Sequence, residues 1–437
     1  MSLDVAGSRV QTILVLGLGV TGRAVVTYCL EQGLTPRVSD AHELTADARS
    51  WLREASVPFE EGGHAETLLA GADAVVLSPG VPVDHPIVSA AEKAGVLVLS
   101  ELDLAWSQAF STPIVAVTGT NGKGTTVTLI DAILRQAGLR TRLGGNIGTP
   151  FISLLAGIEA CDAVVLEASS FQLEGSRFLH PRVGVLLNLT PDHLDRHGSM
   201  GAYAAAKGRL FRLQGDHDVA VLPVGLRDTF RQARARKVHF DAPPPTLPPG
   251  AARLSPHNRS NLAAAITAVG ELDPGLDLSR LSLDALEDAF SLPHRMQRVG
   301  SIGRVQAIDD SKSTNADSAI AALRAVEATT VLLVGGRHKG GGYDSLAREI
   351  RKRDVRRVVV FGEAADDLAD LLEPSKVVIV HARSVEDAVD VGLASARPGD
   401  TLLFSPACSS FDAFRDYADR GETFVRAIRA RSGASEK

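Results

Sequence analysis

One stretch decides the fold, and it reads Ile114-Val115-Ala116-Val117-Thr118-Gly119-Thr120-Asn121-Gly122-Lys123-Gly124-Thr125-Thr126. Its first four residues are apolar and β-prone, which predicts a buried strand, and residues 127–134 are typical of a helix. Glycines in the turn let backbone N–H groups point inward, and the N-terminus of a helix adds partial positive charge. With Lys123 in reach of terminal phosphates, the stretch predicts a phosphate-binding loop.

This loop departs from the usual nucleotide-binding motif, G-x-x-x-x-G-K-[ST]. Only two residues separate Gly119 from Gly122, and Gly124 stands where a Ser or Thr hydroxyl would hold magnesium. We expect the neighbouring Thr125, or water, to take that position. An ordinary glycine-rich turn is the alternative interpretation.

Composition limits the classes of protein to which the chain can belong. At 437 residues it is too long for one core, and its 45% hydrophobic content suffices for several. Short apolar runs broken by charges predict no membrane span, and the first residues are not typical of a secretory signal. A net charge of −6 without a basic face argues against nucleic acid. Cys29, Cys161 and Cys408 show no metal spacing and predict buried thiols in a reducing cytoplasm.

A second glycine motif, Gly17-Leu-Gly-Val-Thr-Gly22, follows a predicted strand from Gln11 to Leu16 and precedes a predicted helix. This spacing, with Asp40 after a second strand, is typical of a nucleotide-binding βαβ unit. We predict that the pyrophosphate of a nucleotide ligand lies on this helix N-terminus. The turn that begins at Ser78 follows another predicted strand and is expected at the same edge of the sheet.

Polar motifs follow predicted strands along the rest of the chain, at 144–148, 167–170, 188–197, 309–315, 335–340 and 405–411. Ligands of open α/β sheets bind past the carboxyl ends of the strands. Alternating strands and helices therefore predict α/β domains with parallel sheets and ligand sites at those edges. We predict domains at 1–109, 110–297 and 298–437, with a break at the glycines 300–303 and a proline-rich loop over 241–250.

Three polar residues of the central region draw attention before any family is considered. Glu167 ends a predicted strand near the phosphate loop, and magnesium prefers such oxygen ligands, although helix capping is the alternative. His193 lies in an acidic stretch that is also compatible with a hydrogen-bonded loop. Lys207 lies in a predicted helix over 200–211, where a lysine by itself is typical of the solvated surface.

The motifs that follow one another along the chain are Gly119–Lys123, Glu167–Leu173, Asn188–Asp195, Tyr203–Lys207, His257–Ala264, Leu292–Arg295, Asp310–Asn315 and Ser405–Cys408. In these motifs and their order the chain resembles the Mur ligases, ATP-dependent amide-forming enzymes of peptidoglycan precursor synthesis. The resemblance implies a Rossmann-like first domain, a central P-loop ATPase-type domain with a parallel sheet and a Rossmann-like third domain. The chain is most similar to the members that add D-glutamate to UDP-N-acetylmuramoyl-L-alanine.

The resemblance also implies which residues bind each substrate. For the UDP-linked substrate they are Val20, Thr21, Asp40, Ser78 and Asn146. For ATP they are Gly119, Thr120, Asn121, Gly122, Lys123, Gly124, Thr125, Asn258, Asn261, Arg295 and Asp310. For D-glutamate they are Thr314, Lys339, Ser410, Phe411 and Tyr417.

The implied chemistry needs a metal and catalytic residues. The implied magnesium ligands are Glu167, His193, Lys207 and Thr125, and the implied catalytic residues are Lys207, His193 and Lys312. Lys207 matches a lysine that the family carbamylates with carbon dioxide. The substrate carboxylate would attack the γ-phosphoryl of ATP, and the amine of D-glutamate would then displace phosphate.

Other interpretations stay open from the sequence. A sister Mur-type ligase, or a folylpolyglutamate-type ligase, would add a different amino acid. The motif Gly17–Gly22 alone would suggest a nicotinamide-dependent dehydrogenase, an interpretation that leaves Lys123, Lys207 and the third domain unexplained. A regulatory nucleotide-binding protein is a further possibility. Arg337 stands where relatives carry a different polar residue. We expect a cytoplasmic monomer that binds neither nucleic acid nor membrane.

Overall fold

The computed structural model describes residues 2–64, 66–109, 112–231, 233–242, 244–279 and 281–432. The chain folds as two units: the first comprises Met1–Leu189 and Tyr203–Leu286, and the second comprises Thr190–Ala202 and Glu287–Lys437. Both are α/β structures built on sheets whose strands are mostly parallel. Among the described residues, no helix combines the length and the apolar character that crossing a membrane requires.

The amino-terminal part of the first unit forms a hairpin and a parallel sheet. Its strands are β1 (Leu3–Val5), β2 (Ser8–Val10), β3 (Thr12–Leu16), β4 (Thr35–Asp40), β5 (Phe59–Glu61), β6 (Ala74–Leu77) and β7 (Leu97–Ser100). Its helices are α1 (Val20–Glu31), α2 (Ala46–Glu54), α3 (Pro86–Lys93) and α4 (Glu101–Gln108), with a 3-10 turn at Glu66–Leu68. The sheet order β5-β4-β3-β6-β7 places β3 in the middle, next to β6, so the turns that follow β3 and β6 lie side by side.

The middle of the chain forms a second parallel sheet. Its strands are β8 (Ile114–Thr118), β9 (Thr141–Gly145), β10 (Ala163–Glu167), β11 (Val183–Leu186), β12 (Val219–Leu222) and β13 (Arg236–His239). Its helices are α5 (Lys123–Gln136), α6 (Ser170–Glu174), α7 (Leu194–His197), α8 (Met200–Gly208) and α9 (Pro256–Leu272), with 3-10 turns at Phe151–Leu155, Ile158–Ala160, Arg209–Phe211, Val224–Leu226 and Ala251–Arg253. The order β13-β12-β11-β8-β10-β9 puts β8 between β11 and β10. The phosphate-loop motif therefore lies between the motifs that follow those two strands.

The second unit is built on a third sheet. Its strands are β14 (Gln297–Ile302), β15 (Val305–Asp309), β16 (Thr330–Gly335), β17 (Val355–Phe361), β18 (Ile379–His381) and β19 (Thr401–Ala407). Its helices are α10 (Glu287–Phe290), α11 (Ala316–Ala325), α12 (Tyr343–Lys352), α13 (Ala365–Leu372), α14 (Val385–Ser395) and α15 (Tyr417–Ser432), with a 3-10 turn at Glu373–Ser375. The order β14-β15-β19-β16-β17-β18 brings the ends of β15, β19 and β16 next to one another.

The parallel α/β architecture confirms the predicted fold class, because apolar strands such as β8, β10 and β16 are buried along their whole length between helices. Some local predictions were wrong. The glycines 300 and 303 do not mark a break, since β14 pairs antiparallel with β15 and Gly300 lies opposite Ala307. The strand β13, just before the proline-rich loop, was not predicted. Helix α5 begins at Lys123, one turn before the predicted start at 127.

Candidate active site

The phosphate loop of the first unit runs from the end of β8 to the start of α5. Gly122 is the residue before the helix and has a left-handed φ of 87°. A Cβ on Gly122 would stand 2.4 Å from the side-chain oxygen of Asn261, and a Cβ on Gly119 would stand 3.0 Å from Leu187 Cβ. These two positions require glycine because the backbone approaches neighbouring side chains closely.

Lys123 and Asn188 fix the shape of this loop. The Lys123 ammonium donates to the carbonyl oxygens of Gly119 and Thr120, at 2.8 Å each. Asn188, just after β11, accepts from the Asn121 N–H at 2.9 Å and donates to the Asn121 carbonyl at 3.0 Å. The loop is therefore curled around a lysine whose charge is partly buried. Sequence analysis assigned no role to Asn188, although its position at a strand end was a usable signal.

Buried polar atoms without a partner surround the loop. Among the described residues, no hydrogen-bond partner is found for Thr118 Oγ1, Thr125 Oγ1, Glu167 Oε2 or Asn261 Nδ2. Leaving one such group unsatisfied costs about 1–3 kcal/mol, so a cluster of them indicates a place made for a bound molecule. Three of the four atoms are oxygens, the ligand type that magnesium prefers.

The donor set fits a magnesium ion that is shared with a phosphate. No group of three or more His, Cys, Asp or Glu side chains in the described chain is arranged to hold a metal. Magnesium commonly takes one or two protein carboxylates and completes its shell with phosphate oxygens and water. Glu167 fits this role, because Asn146 Nδ2 donates to its Oε1 at 2.7 Å while Oε2 has no hydrogen-bond partner among the described residues.

Lys207 is buried beside the same loop. The side chain is 1% exposed, and Nζ donates to the Gly119 carbonyl at 2.9 Å. Nζ also lies 4.5 Å from the ring centroid of Tyr203, whose hydroxyl is 3.2 Å from Thr120 Oγ1. This burial excludes the alternative of a solvated surface lysine. The i, i+4 spacing on α8 turns both residues to the phosphate loop.

In the amino-terminal sheet, Asp40 and Ser78 hold the other glycine turn. Asp40 Oδ2 accepts from the Leu18 N–H at 2.7 Å, and Ser78 Oγ donates to the Gly17 carbonyl at 2.7 Å. A Cβ on Gly22 would stand 2.0 Å from that carbonyl, so the close approach requires glycine. The structure thus brings Asp40 and Ser78 to one turn. Val20 and Thr21 begin α1 at the same place, and Val20 is 75% exposed.

In the second unit, Asp310 is buried at the end of β15. Its Oδ2 accepts from Ser405 Oγ at 2.8 Å, and its Oδ1 accepts from the Met296 N–H at 3.2 Å. Burial raises the pKa of Asp310 to about 7, against the lowering effect of the Ser405 hydrogen bond. Arg295 lies in the adjoining turn and also acts on this pKa through its positive charge. In this structure both oxygens of Asp310 therefore bind protein groups.

A charged cluster within the second unit centres on Asp192, which is 4% exposed. Its carboxylate accepts from Asn315 Nδ2 at 3.0 Å and lies 3.4 Å from Lys339 Nζ. Lys339 Nζ is also 3.5 Å from His193 Nε2. His193 has a left-handed φ of 54°, and its N–H donates to Asp192 Oδ1 at 2.9 Å. Asp192 thereby holds two predicted site residues, Lys339 and His193, a role that sequence analysis did not assign.

The remaining predicted residues of the second unit lie on neighbouring loops. Lys312 Nζ donates to the Tyr417 hydroxyl at 2.9 Å and lies 4.6 Å from the centroid of that ring. Ser410 is 3% exposed, whereas Phe411 next to it is 65% exposed. Thr314 is partly buried on the loop that carries Lys312.

Arg337 is explained by a local ion pair. Its Nε donates to both Glu363 carboxylate oxygens at 3.1 and 3.0 Å, and Nη2 donates at 2.7 Å. Its backbone pairs with Ser409 through hydrogen bonds of 3.0 and 2.9 Å. The guanidinium is therefore directed to Glu363, while the backbone joins two loops. Both ion-pair side chains are about half exposed, so the pair contributes little to stability.

The predicted residues are divided between the two units. The first holds the UDP-substrate residues, the phosphate loop, Asn258, Asn261, Glu167 and Lys207, and the second holds His193, Arg295, Asp310, Lys312, Thr314, Lys339, Ser410, Phe411 and Tyr417. Of the four predicted metal ligands, His193 thus belongs to the second unit and Glu167, Lys207 and Thr125 to the first.

Family models match the chain in three consecutive segments. The model "Mur ligase MurD-like, N-terminal domain" matches residues 11–100, "Mur ligase middle domain" matches residues 117–241, and "Mur ligase, glutamate ligase domain" matches residues 294–408. The matches follow the chain order of the three sheets.

Relatives of known name are similar over nearly the whole length. A UDP-N-acetylmuramoylalanine–D-glutamate ligase of Geobacter metallireducens is 40% identical, with 96% of this chain and 97% of the relative covered. A ligase of the same name from Desulfatibacillum aliphaticivorans is 35% identical, with 98% and 99% covered. The fold is similar to that of a MurF ligase from Thermotoga maritima in complex with ADP, with a TM-score of 0.59, 16% identity and coverage of 97% and 96%.

Proposed function

Because the chain belongs to the Mur ligase family, we propose that it catalyses the ATP-dependent addition of D-glutamate to UDP-N-acetylmuramoyl-L-alanine, with ADP and phosphate as the other products. The observation that carries this proposal is the similarity to ligases of that name, at 35–40% identity over nearly all of both chains. The phosphate loop curls around the Lys123 ammonium and is bordered by buried oxygens that have no hydrogen-bond partner among the described residues. These features support the proposal that ATP binds there.

The first unit provides groups suited to ATP. Backbone N–H groups at the start of α5 and the Lys123 ammonium suit the phosphates. Asn261 Nδ2 has no hydrogen-bond partner in the part of the chain that the structure describes, and Asn258 precedes Asn261 by three residues on α9, so both suit the adenine base. Arg295 and Asp310 in the second unit are proposed for the phosphates and the ribose.

Magnesium would be held by Glu167 and Thr125, with Lys207 as a carbamate and His193 as further ligands. When bound, the ion would neutralise charge between the phosphate oxygens and the substrate carboxylate. The missing hydroxyl at Gly124 is compensated in this proposal by Thr125, whose Oγ1 is buried without a partner among the described residues.

Lys207 is proposed to be carbamylated. The neutral amine attacks carbon dioxide, the N–C bond forms, and one proton is released, which leaves an anionic carbamate whose nitrogen keeps one N–H. That N–H still suits the hydrogen bond to the Gly119 carbonyl. The side chain is 1% exposed, so a carbamate formed there would be enclosed by protein.

The reaction would proceed in two transfers. The carboxylate of the L-alanyl group attacks the γ-phosphoryl group, ADP leaves, and an acyl phosphate forms. The amine of D-glutamate then attacks the acyl carbon, phosphate leaves, and the amine gives up a proton, for which we propose His193 as acceptor. Lys339, Thr314, Ser410, Phe411 and Tyr417 are proposed to hold D-glutamate, and Lys312 to stabilise phosphate charge.

We further propose the domain boundaries 1–109, 110–297 and 298–437, a monomeric state and a cytoplasmic location. Each sheet lies within one of these ranges except that β14 begins at Gln297. Cys29, Cys161 and Cys408 are all free thiols, as expected in a reducing compartment; Cys29 and Cys408 are buried as predicted, whereas Cys161 is only partly buried. Sedimentation analysis at the enzyme concentrations used for assays measures the molar mass in solution and so tests the proposed monomeric state.

Phosphate release from ATP tests the proposed function. The complete mixture contains UDP-N-acetylmuramoyl-L-alanine and one of D-glutamate, L-glutamate, L-alanine or D-aspartate. We expect release with D-glutamate and only background in the other mixtures or without the UDP-linked acceptor. Equal rates with L-glutamate would contradict the specificity, and preference for another amino acid would indicate a sister ligase.

A further inference from the structure

Arg420 on α15 is completely buried, with 0% of the side chain exposed. Charged side chains are rarely buried to this extent unless they are paired. The guanidinium forms its hydrogen bonds with neutral groups, while the negative charges of Asp412, Asp309 and Asp310 act on it without a direct hydrogen bond. It donates from Nε to Ser311 Oγ at 3.1 Å and from Nη2 to the Ser311 carbonyl at 2.8 Å. Nη1 donates to the Cys408 carbonyl at 2.9 Å and to the Gly335 carbonyl at 3.3 Å.

These acceptors belong to three different loops. Ser311 follows β15, Gly335 ends β16, and Cys408 follows β19, so one planar group reaches the carboxyl ends of three adjacent strands. The loop of Ser311 also binds the start of α15, since Ser311 Oγ donates to the Tyr417 carbonyl at 2.7 Å. Arg420 thus joins every segment of the second unit that carries a residue proposed for D-glutamate.

We propose that Arg420 is the positioning residue of the amino-acid site, which fixes the three loops relative to one another without contacting the substrate. This inference rests on the proposed function. Lys312 and Thr314 follow Ser311, Lys339 follows Gly335, and Ser410 follows Cys408. A change in the spacing of the loops therefore changes the spacing of the groups that hold the dicarboxylate.

Arginine suits this place for a geometric reason. Its guanidinium presents five N–H donors in a fixed plane, whereas lysine has one rotating ammonium that cannot reach three loops together. The backbone leaves room for it at Gly336, where an added Cβ would stand 3.0 Å from Arg420 Nη1. Burial lowers the pKa of Arg420 to about 10, so the group stays charged and keeps all its donors at neutral pH.

Arg356 offers a matched control at the opposite end of the same sheet. It lies at the start of β17 and donates to both Asp400 oxygens, at 2.6 and 3.1 Å. Its side chain is 25% exposed and that of Asp400 is 5% exposed, so its loss removes the ion-pair partner of a buried carboxylate, which keeps the Arg397 N–H at 2.8 Å. Arg356→Met therefore destabilises the same domain without touching the three loops.

The experiment measures kcat, the KM for D-glutamate, the KM for UDP-N-acetylmuramoyl-L-alanine and the Tm of Arg420→Lys, Arg420→Met, Ser311→Ala and Arg356→Met. We expect both Arg420 variants to raise the KM for D-glutamate by about ten- to a hundredfold, because small displacements of binding groups have effects of this size. The KM for the UDP-linked acceptor should stay within about twofold, since its proposed residues lie in the first unit. Arg356→Met should lower the Tm and leave both KM values unchanged.

An unchanged KM for D-glutamate in Arg420→Lys, with a lowered Tm, would overturn the proposal and leave Arg420 a purely structural residue. If neither Arg420 variant folds, Ser311→Ala decides, because it removes one acceptor and keeps the buried arginine. We expect it to raise the KM for D-glutamate, and a wild-type value would overturn the proposal. Wild-type enzyme that prefers another amino acid would refute the proposed function, and the same KM comparison would then be made with that amino acid.

Discussion

The two glycine turns of the first unit show that similar sequence patterns create different sites. In the turn after β3, side chains of the protein already bind the backbone: Asp40 accepts the Leu18 N–H and Ser78 donates to the Gly17 carbonyl. The loop after β8 instead encloses the Lys123 ammonium and is bordered by buried oxygens that lack partners in the described chain.

Glycine spacing therefore specifies only the path of the backbone, which must turn sharply from strand to helix. The chemistry is specified by what surrounds that path. In the turn after β3 a backbone N–H is already bound by the Asp40 carboxylate. The loop after β8 instead encloses a cation and is bordered by buried oxygens without partners among the described residues, which suits phosphates and a metal. The following predictions test this division between the turns.

The largest effect is expected from Lys207, which donates to the phosphate loop. Lys207→Ala should lower kcat by about a thousandfold, because it removes the proposed anionic metal ligand and the charge stabilisation that depends on it. Short carboxylates should restore part of the activity of Lys207→Ala. Added bicarbonate should restore the activity of wild-type enzyme that has been depleted of carbon dioxide. Steady-state phosphate release measures both.

Lys207→Arg is the informative companion variant. A guanidinium stays charged and is not carbamylated under these conditions, so we expect it to be as inactive as the alanine variant. Carbon-13 NMR of folded wild type equilibrated with carbon-13-labelled bicarbonate should show a carbamate resonance that is absent from Lys207→Ala. Full activity of Lys207→Arg would falsify the carbamate role.

Much of the fold was predictable from the sequence because each parallel strand is a short apolar run followed by a polar motif. β8, β10 and β16 are buried throughout. β8 extends one residue beyond its predicted end at Val117, and the polar motifs predicted at 167–170 and 335–340 begin at the last residues of β10 and β16. The edge strand β13 was not predicted, and the glycines at 300 and 303, in and just after the edge strand β14, were interpreted as a break. Both are polar or glycine-containing and only partly buried, so their sequences lack the apolar signal that marks an internal strand.

The site residues that lie at or just after the ends of strands were predictable from the sequence, whereas the buried charged residues on helices were not. Sequence analysis named Glu167 and Lys123 from their positions after or near β10 and β8. It assigned a role to Lys207 only through the family resemblance, and it missed Arg420, because a charged residue on a helix is ordinarily solvated. Burial depends on tertiary packing, which local sequence patterns do not encode.

A second prediction concerns the turn after β3. Asp40→Ala should raise the KM for the UDP-linked acceptor by about tenfold, because it removes a charged acceptor that holds the Leu18 N–H. The KM for ATP should not change, since the phosphate loop belongs to a different sheet. Asp73→Ala is the matched control, since Asp73 Oδ2 accepts the Gln11 and Thr12 N–H groups at 2.9 and 2.8 Å where β3 begins. A rise in the KM for ATP in Asp40→Ala that Asp73→Ala does not show would contradict the independence of the two turns, and an equal rise in the KM for the UDP-linked acceptor in both variants would show that Asp40 acts only on the stability of the sheet.

A third prediction concerns the loop after β8. Thr125→Ala should raise the magnesium concentration for half-maximal activity by about tenfold and leave the KM for D-glutamate unchanged, because it removes one proposed oxygen ligand. Thr128→Ala is the control, since Thr128 Oγ1 already donates to the Gly124 carbonyl at 2.8 Å. A magnesium titration that Thr125→Ala does not shift would show that Thr125 is no ligand.

The smallest effect on activity is expected at Glu101, which joins the amino-terminal part of the first unit to the part built on the middle sheet. This residue begins α4 after the amino-terminal sheet, and its Oε1 accepts from the Ile152 N–H at 2.6 Å, while Oε2 has no partner among the described residues. Burial raises the pKa of Glu101 to about 7. A carboxyl whose pKa is higher in the folded state than in the unfolded state stabilises the fold at low pH, and that contribution is lost as the pH rises from the unfolded value through about 7.

Glu101→Gln should remove this dependence, because the amide keeps an acceptor for Ile152 and never ionises. Because a tenfold change in proton affinity corresponds to about 1.4 kcal/mol, the wild type should lose on the order of 3 kcal/mol relative to the variant between pH 4.5 and pH 8. Thermal unfolding of both proteins at pH 5.5 and pH 8 measures it, with the exposed Glu92→Gln as control. We expect Glu101→Gln to gain Tm over wild type at pH 8 more than at pH 5.5, with kcat nearly unchanged. A Tm difference that is the same at both pH values would mean that Glu101 ionises normally and that the junction between the two regions does not sense pH.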